Sequence, residues 1–188
     1  SRVLLFQKVA ATYVGVIRGI PELVLMLLVF FGGQMLLNDL ADLTGLWEYI
    51  DVDALSSAIF SIGFIFGAYM SEAFRGAYLA IPRGQLDAAK SLGLRRVTYL
   101  RLIVFPQFVI HVLPAFRNNW LVILKTTAFA SVVGVHDLVW RAKGAASATH
   151  NPFYFLTLAA LVYLLFTILS ERLFSYLQNR IQRNWTSI

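Results

Sequence analysis

The chain contains no cysteine, which excludes disulfides, thiolate metal ligands and a cysteine nucleophile. Charge is scarce too. Asp, Glu, Lys and Arg make up 14% of the 188 residues, against roughly a quarter in an average soluble domain. The three histidines, His111, His136 and His150, match no metal-ligand spacing such as H-E-x-x-H, and no Gly-Lys-Ser/Thr loop is present to cradle phosphates. No catalytic constellation, metal site or resident cofactor is therefore expected, and any use of ATP falls to another chain. Residues 1–20 lack the basic start, apolar core and small-residue cleavage site of a signal peptide. The chain opens on Ser1 rather than Met, as a fragment or a processed product would.

What fills the space is apolar: 59% of residues are hydrophobic and the mean hydropathy is +0.69. Long apolar runs separated by charged clusters predict an all-α, polytopic membrane helix bundle. Four spans are expected, at about 20–37, 54–71, 102–135 and 152–169; all but the longer, irregular third are near the ~20 residues that carry a helix across ~30 Å of hydrocarbon. Pro21 suits the first turn of the first span. Glu22 and Gln34 leave that span only a short fully apolar centre.

The charges orient the bundle. Residues 1–18 carry Arg2, Lys8 and Arg18 without an acid, and residues 38–53 carry Asp39, Asp42, Glu48, Asp51 and Asp53 without a base. Residues 72–101 hold six Lys or Arg, Arg75, Arg83, Lys90, Arg95, Arg96 and Arg101, against Glu72 and Asp87. The tail is again basic, with Arg172, Arg180 and Arg183 against Glu171. Basic loops stay cytoplasmic, so residues 1–18, 72–101 and the tail are assigned inside and the acidic 38–53 loop outside. The 136–151 loop, with Arg141 and Lys143 against Asp137, goes outside by alternation of spans. The net charge of +6 thus reads as topology rather than as a nucleic-acid surface.

Two regions stand out. "GQLDAAKSLGLRR", residues 84–96, is a short, charged, helix-forming stretch in a cytoplasmic loop, longer than a helix–helix connection requires. It suits a docking element for a soluble partner. The third span is irregular, with Pro106 and Pro114, and sets Arg117, Asn118, Asn119, Lys125, Thr126, Thr127 and Asp137 along its path. Such groups at membrane depth are costly and tend to line a pathway, although snorkelling to the interface also accounts for Lys125. Glu22 sits where a helix N-terminus stabilises an acid; it could equally face a cationic substrate. Gly63, Gly67 and Ser71 form a small-xxx-small run, expected to serve packing within the chain before any subunit contact.

The stretch "DAAKSLGLRRVTYLRLIVFP" resembles the cytoplasmic signature of ABC-importer permeases: an acid and two alanines, three residues, glycine, nine residues, then Ile-x-Leu-Pro. Here these positions are Asp87, Ala88, Ala89, Gly93, Ile103, Val104, Phe105 and Pro106, with Asp in place of the usual Glu and Phe in place of the usual Leu. "RGIPELVLMLLVFFG", "GAYMSEAFRGAYLAIPRGQ", "NNWLVILKTTAFASVVGVHDLV" and "PFYFLTLAALVYLLFTILS" extend the resemblance to the polar amino acid permeases, in particular the Q-type subunit of histidine and lysine–arginine–ornithine systems and the octopine and nopaline permeases.

That resemblance implies a type I importer permease fold with one more helix ahead of this chain's start, so the first span of the family is missing. It implies a single transmembrane domain over 1–188, with a coupling loop at about 82–106. Asp87, Ala88, Ala89, Gly93, Ile103 and Pro106 would couple to ABC ATPase subunits: Asp87 pairing with a basic groove residue, the alanines allowing close approach, and Gly93 ending the helix. The further partners implied are a second permease, expected as a heterodimer, a periplasmic substrate-binding protein and membrane lipid, with no nucleic acid. Glu22, Asn118, Asn119, Lys125, Thr126 and Asp137 are the candidate substrate-pathway residues. The implied activity is ATP-driven import of polar, basic amino acids or opines across the cell inner membrane, with hydrolysis on the partner rather than on this chain. A secondary transporter or channel that needs no ATPase is the alternative, and a purely structural scaffold is a third reading.

Overall fold

In a computed structural model of the chain, the structure describes residues 2–186 and the side chains of residues 4–183; Ser1 and the Arg2 side chain, on which two sequence expectations touch, lie outside them. The described residues form helices and connecting turns with no strand. We number the helices α1 (Arg2–Gly19), α2 (Glu22–Thr44), α3 (Ala54–Leu79), α4 (Arg83–Ser91), α5 (Arg96–Val133), α6 (Leu138–Thr149) and α7 (Pro152–Thr186). Four of them, α2, α3, α5 and α7, are long and apolar enough to cross a membrane. They are the four expected spans, each extended by several residues because the helix continues beyond its hydrophobic run.

The helix boundaries follow local chemistry. α1 stops at Gly19 because Ile20 precedes a proline, a position that disfavours helical ψ. Pro21 then stands outside α2 as its cap, with ψ 136°, rather than in its first turn, and Glu22 becomes the first helical residue. α2 loosens into a π-helical turn at Leu28–Gly32 and ends at Gly45, whose φ of 63° is one that glycine reaches without strain.

α5 has its own π-helical turn, Leu100–Val104, in which the Phe105 N–H reaches back to the Leu100 carbonyl. The turn stands immediately before Pro106, which has no N–H for an ordinary helical bond. Ile103 and Pro106 therefore lie inside a helix that starts at Arg96. The cytoplasmic loop expected at 72–101 shrinks to the residues between Leu79 and Arg96, with α4 in the middle.

The chain divides into two compact units, Ser1–Ala68 with Val122–Thr167, and Tyr69–Leu121 with Ile168–Ile188. In the first, Met26 is fully buried against Ala58, Ala130 and Val133, with Leu27, Phe30, Ile62, Phe129 and Val135 around them. Two alanines at the contact leave room for the long thioether, and close approach across small residues is how helices associate in lipid. Ser61, also fully buried, donates its hydroxyl to the Ser57 carbonyl at 2.7 Å and so carries no orphan group into the core.

α1 joins this unit as well. Charge alone assigned residues 1–18 to a cytoplasmic segment, but the Tyr13 hydroxyl donates to the Phe64 carbonyl at 2.5 Å and the two rings meet edge to face at 5.1 Å. A Cβ on Gly67 would stand 3.2 Å from the Tyr13 hydroxyl, whereas one on Gly63 would meet nothing within 4 Å. The small-residue run thus serves packing inside the chain at Gly67, as expected.

The loop between α2 and α3 is held by two side-chain amides. Asn38 accepts from the Ile50 N–H at 2.8 Å and donates to the Ile50 carbonyl at 3.0 Å, as a neighbouring strand would. One turn earlier, Gln34 accepts from the Val52 N–H at 2.8 Å and donates to the Ile50 carbonyl at 2.8 Å and the Tyr49 hydroxyl at 3.1 Å. Gln34 is therefore the clamp of the loop, where the sequence showed only an interruption of the apolar run.

Asp53 completes the arrangement by accepting from the Ser56 N–H at 2.8 Å, which holds its carboxyl below the usual value. A lowered carboxylate pKa makes this cap complete above the ordinary range and loses it as pH falls through the lowered value. Replacing Asn38 by leucine removes both bonds to Ile50, worth about 2 kcal/mol at ~1 kcal/mol each. Amide exchange and protease cleavage over residues 46–53 should rise at least tenfold in that variant; unchanged exchange would contradict the clamp.

Candidate functional site

The residues singled out in the 82–106 stretch assemble around α4. Pro82 caps its start. At its end the Gly93 N–H donates to the Lys90 carbonyl at 2.9 Å and the Leu94 N–H to the Ala89 carbonyl at 3.2 Å. This paired closure requires a left-handed residue at the first position beyond the cap, and Gly93 has φ 69°. Gly93 is thus the residue that ends the helix, as its place in the signature implied.

The two alanines have different surroundings. Ala89 is 1% exposed on a helix that packs against the Leu100–Val104 turn, whereas Ala88 is exposed beside the exposed Asp87. Of the two alanines expected to admit a partner, Ala88 is exposed and Ala89 is covered by this chain. Ile103 is half-buried and Pro106 buried within α5, so these two shape the seat of α4 rather than its free face. Asp87 lies 3.7 Å from Lys90, with both side chains mostly in solvent. Exposed pairs of this kind contribute little, which leaves the carboxylate available. A concavity of about 410 Å³ runs along this helix, lined by Tyr78, Ile81, Arg83, Leu86, Asp87 and Lys90.

One contact here had no signal in the sequence. The Gln107 amide donates to Gln85 Oε1 of α4 and to the Ile103 carbonyl at 3.0 Å. Next to it, Phe108 meets Phe74 of α3 with ring centroids 5.8 Å apart.

The pathway candidates do not form one cluster. Asn118 is exposed and lines a concavity of about 340 Å³ with Pro114, Arg117, Leu121, Glu171 and Gln178; the Arg117 guanidinium stands 3.5 Å from the Glu171 carboxylate. Asn119 turns toward Met70, its Nδ2 4.0 Å from the sulfur. Lys125 is exposed and, seven residues from Asn118 on one continuous helix, shares its face. Thr126 is 3% exposed and returns its hydroxyl to the Val122 carbonyl at 3.0 Å. Its hydroxyl is thus occupied by its own helix, and the residue is buried within the chain.

Asp137 caps α6, accepting from the Trp140 N–H at 2.8 Å; its other oxygen is buried without a hydrogen-bond partner among the described residues. Glu22 is the first residue of α2, where the helix dipole favours its charge. Among the described residues, no group of three or more His, Asp or Glu could hold a metal ion.

Residues 2–183 match the family described as binding-protein-dependent transport system inner membrane component. The chain is 42% identical over 168 residues to the histidine/lysine/arginine/ornithine transport system permease protein HisQ of Escherichia coli (strain K12), covering 89% of this chain and 73% of that protein. It is 40% identical to the arginine ABC transporter permease protein ArtQ of Haemophilus influenzae, over 87% and 72% of the two chains. It is 33% identical to the octopine transport system permease protein OccQ of Rhizobium meliloti, over 97% and 77%. Among solved structures, an amino acid ABC transporter crystallised with histidines superposes with a TM-score of 0.79 at 30% identity, covering 96% of this chain and 78% of that one. The inward-facing MetNI methionine ABC transporter, at 15% identity and a TM-score of 0.73 over 96% and 77%, shares the fold.

Proposed function

We propose, from the premise that this chain belongs to the family of binding-protein-dependent transport system inner membrane components, that it is a multi-pass permease subunit that imports basic amino acids or opines across the cell inner membrane, powered by ATP hydrolysis on a partner. The observation that carries this reading is α4: a short helix between two candidate spans, with a defined end at Gly93, Ala89 buried and Asp87 and Ala88 exposed. A secondary transporter has no use for such a helix. The whole chain acts as one transmembrane domain, with ABC ATPase subunits at α4, a second, non-identical permease across the pathway and a periplasmic binding protein on the acidic outer side. Relatives that carry histidine, lysine, arginine, ornithine or octopine support the basic-substrate class.

In this reading Asp87 pairs with a basic groove residue of the ATPase, a charge-assisted bond, and Ala88 lets the groove approach. ATP and loaded binding protein favour different members of a two-state equilibrium, and the motion enters the spans through α4. Glu22, Asn118, Asn119, Lys125 and Asp137 are each proposed as pathway residues.

The test is reconstitution of the chain with its ATPase, second permease and binding protein in proteoliposomes. ATP-dependent uptake of arginine, histidine or octopine that requires the binding protein is expected; uptake driven by an ion gradient without ATP would overturn the reading. Alanine at Asn118 or Lys125 is expected to change the relative uptake of these substrates by about tenfold, the cost of one lost charged hydrogen bond of ~1.5 kcal/mol. An unchanged profile in both variants would remove this face from the pathway.

A further inference from the structure

The N-terminal half of α4 needs an anchor of its own. Its C-terminal end is closed on itself by the paired bonds at Gly93 and carries the buried Ala89, on a helix that contacts the Leu100–Val104 turn. A helix of two and a half turns fixed only at one end pivots there. Toward its start, the side chain that reaches another helix is Gln85, which accepts from Gln107 of α5.

Gln107 stands immediately after Pro106, just past the π-helical turn, and its amide also donates to the Ile103 carbonyl, so a single side chain spans from α4 to the loosened turn. Phe108, the next residue, packs on Phe74 near the end of α3. Here α3, α4 and α5 meet, and the α5 backbone is least constrained, because a proline and a π-helical turn have replaced ordinary helical bonds.

We infer that Gln85 and Gln107 are positioning residues for coupling: their bond gives α4 a second anchor, so that a displacement imposed on α4 reaches α5 at the Pro106 turn instead of being lost as rotation about Gly93. The inference rests on the proposed ATP-driven import and names the internal contact through which it runs. Because the bond is a neutral one at a solvent-facing site, its loss weakens coupling without unseating the helix. The buried Ala89 keeps α4 against the chain in either case.

The experiment uses the complete reconstituted transporter and reads substrate imported per ATP hydrolysed. Gln85→Leu and Gln107→Leu are each expected to lower that ratio about fivefold, equivalent to the ~1 kcal/mol of one hydrogen bond, while ATP hydrolysis stimulated by loaded binding protein stays within about twofold. The double variant should lose no more than either single one, the mark of two residues sharing one interaction. Gln107→Glu should keep most of the ratio, since the Gln85 amide can turn over and donate to the carboxylate. Leucine variants with an unchanged ratio, losses that multiply in the double variant, or parallel loss of hydrolysis and uptake would each overturn the inference. A wild-type chain without ATP-dependent uptake would instead overturn the reading beneath it, and this inference with it.

Discussion

Gly93→Pro is expected to abolish import while leaving the chain inserted in the membrane. Gly93 has φ 69°, and its N–H closes the end of α4 on the Lys90 carbonyl. Proline is locked near φ −65° and has no N–H, so it fails on both counts, at a cost of about 3 kcal/mol or more. The closure cannot form, α4 loses its defined end, and Ala89 no longer settles on its seat. Uptake should fall about a hundredfold, which is the factor that 3 kcal/mol represents. A graded series separates strain from crowding. A Cβ at Gly93 meets nothing within 4 Å, so alanine costs only the left-handed backbone, about 1–2 kcal/mol. Asparagine, which tolerates that region better, costs less. Uptake should therefore rank Gly, Asn, Ala, Pro from highest to lowest. Alanine worse than proline, or normal uptake in the proline variant, would show that the turn does not set coupling.

The second large effect separates the two adjacent alanines. Ala89→Leu places three extra carbons in a position that is 1% exposed, and overpacking of this kind costs about 1–3 kcal/mol. The expected outcome is that α4 lifts from α5: residues 84–96 become more accessible to protease in the isolated permease, and uptake is lost. Ala88→Leu adds the same carbons to an exposed position. The isolated permease should then digest like wild type, while capture of the ATPase subunit falls about tenfold or more, because the bulk now stands where the partner must approach. Identical protease patterns in the two variants would show that the alanines are not divided between an inner and an outer face. Their sequence neighbourhood is the same; the difference lies in which side of a helix of two and a half turns is buried.

That division marks the limit of what sequence pattern can show. The apolar runs and the sign of the charges between them determined the four spans, because no other arrangement satisfies the backbone in hydrocarbon. The Asp87–Pro106 spacing pointed to the short helix proposed for docking, and Gly93 as its terminator follows from the requirement for a left-handed residue at a helix end.

Contacts between residues distant in the chain had no such local signature. Tyr13 beside Phe64 and Gly67 packs α1 against α3, whereas its Lys8 and Arg18 signalled only the side of the membrane. Gln34 and Asn38 look like flaws in an apolar helix until the loop they clamp folds back on them. Thr126 and Lys125 are neighbours in sequence, yet one faces the interior of the chain and the other is exposed. Gln85 and Gln107 meet only because a proline and a π-helical turn shape α5 beneath α4. Periodicity and charge act along the chain and so determine which segments are helices and where they stop. Which face of each helix is covered, and by what, is decided by packing between segments, and only the tertiary structure holds that information.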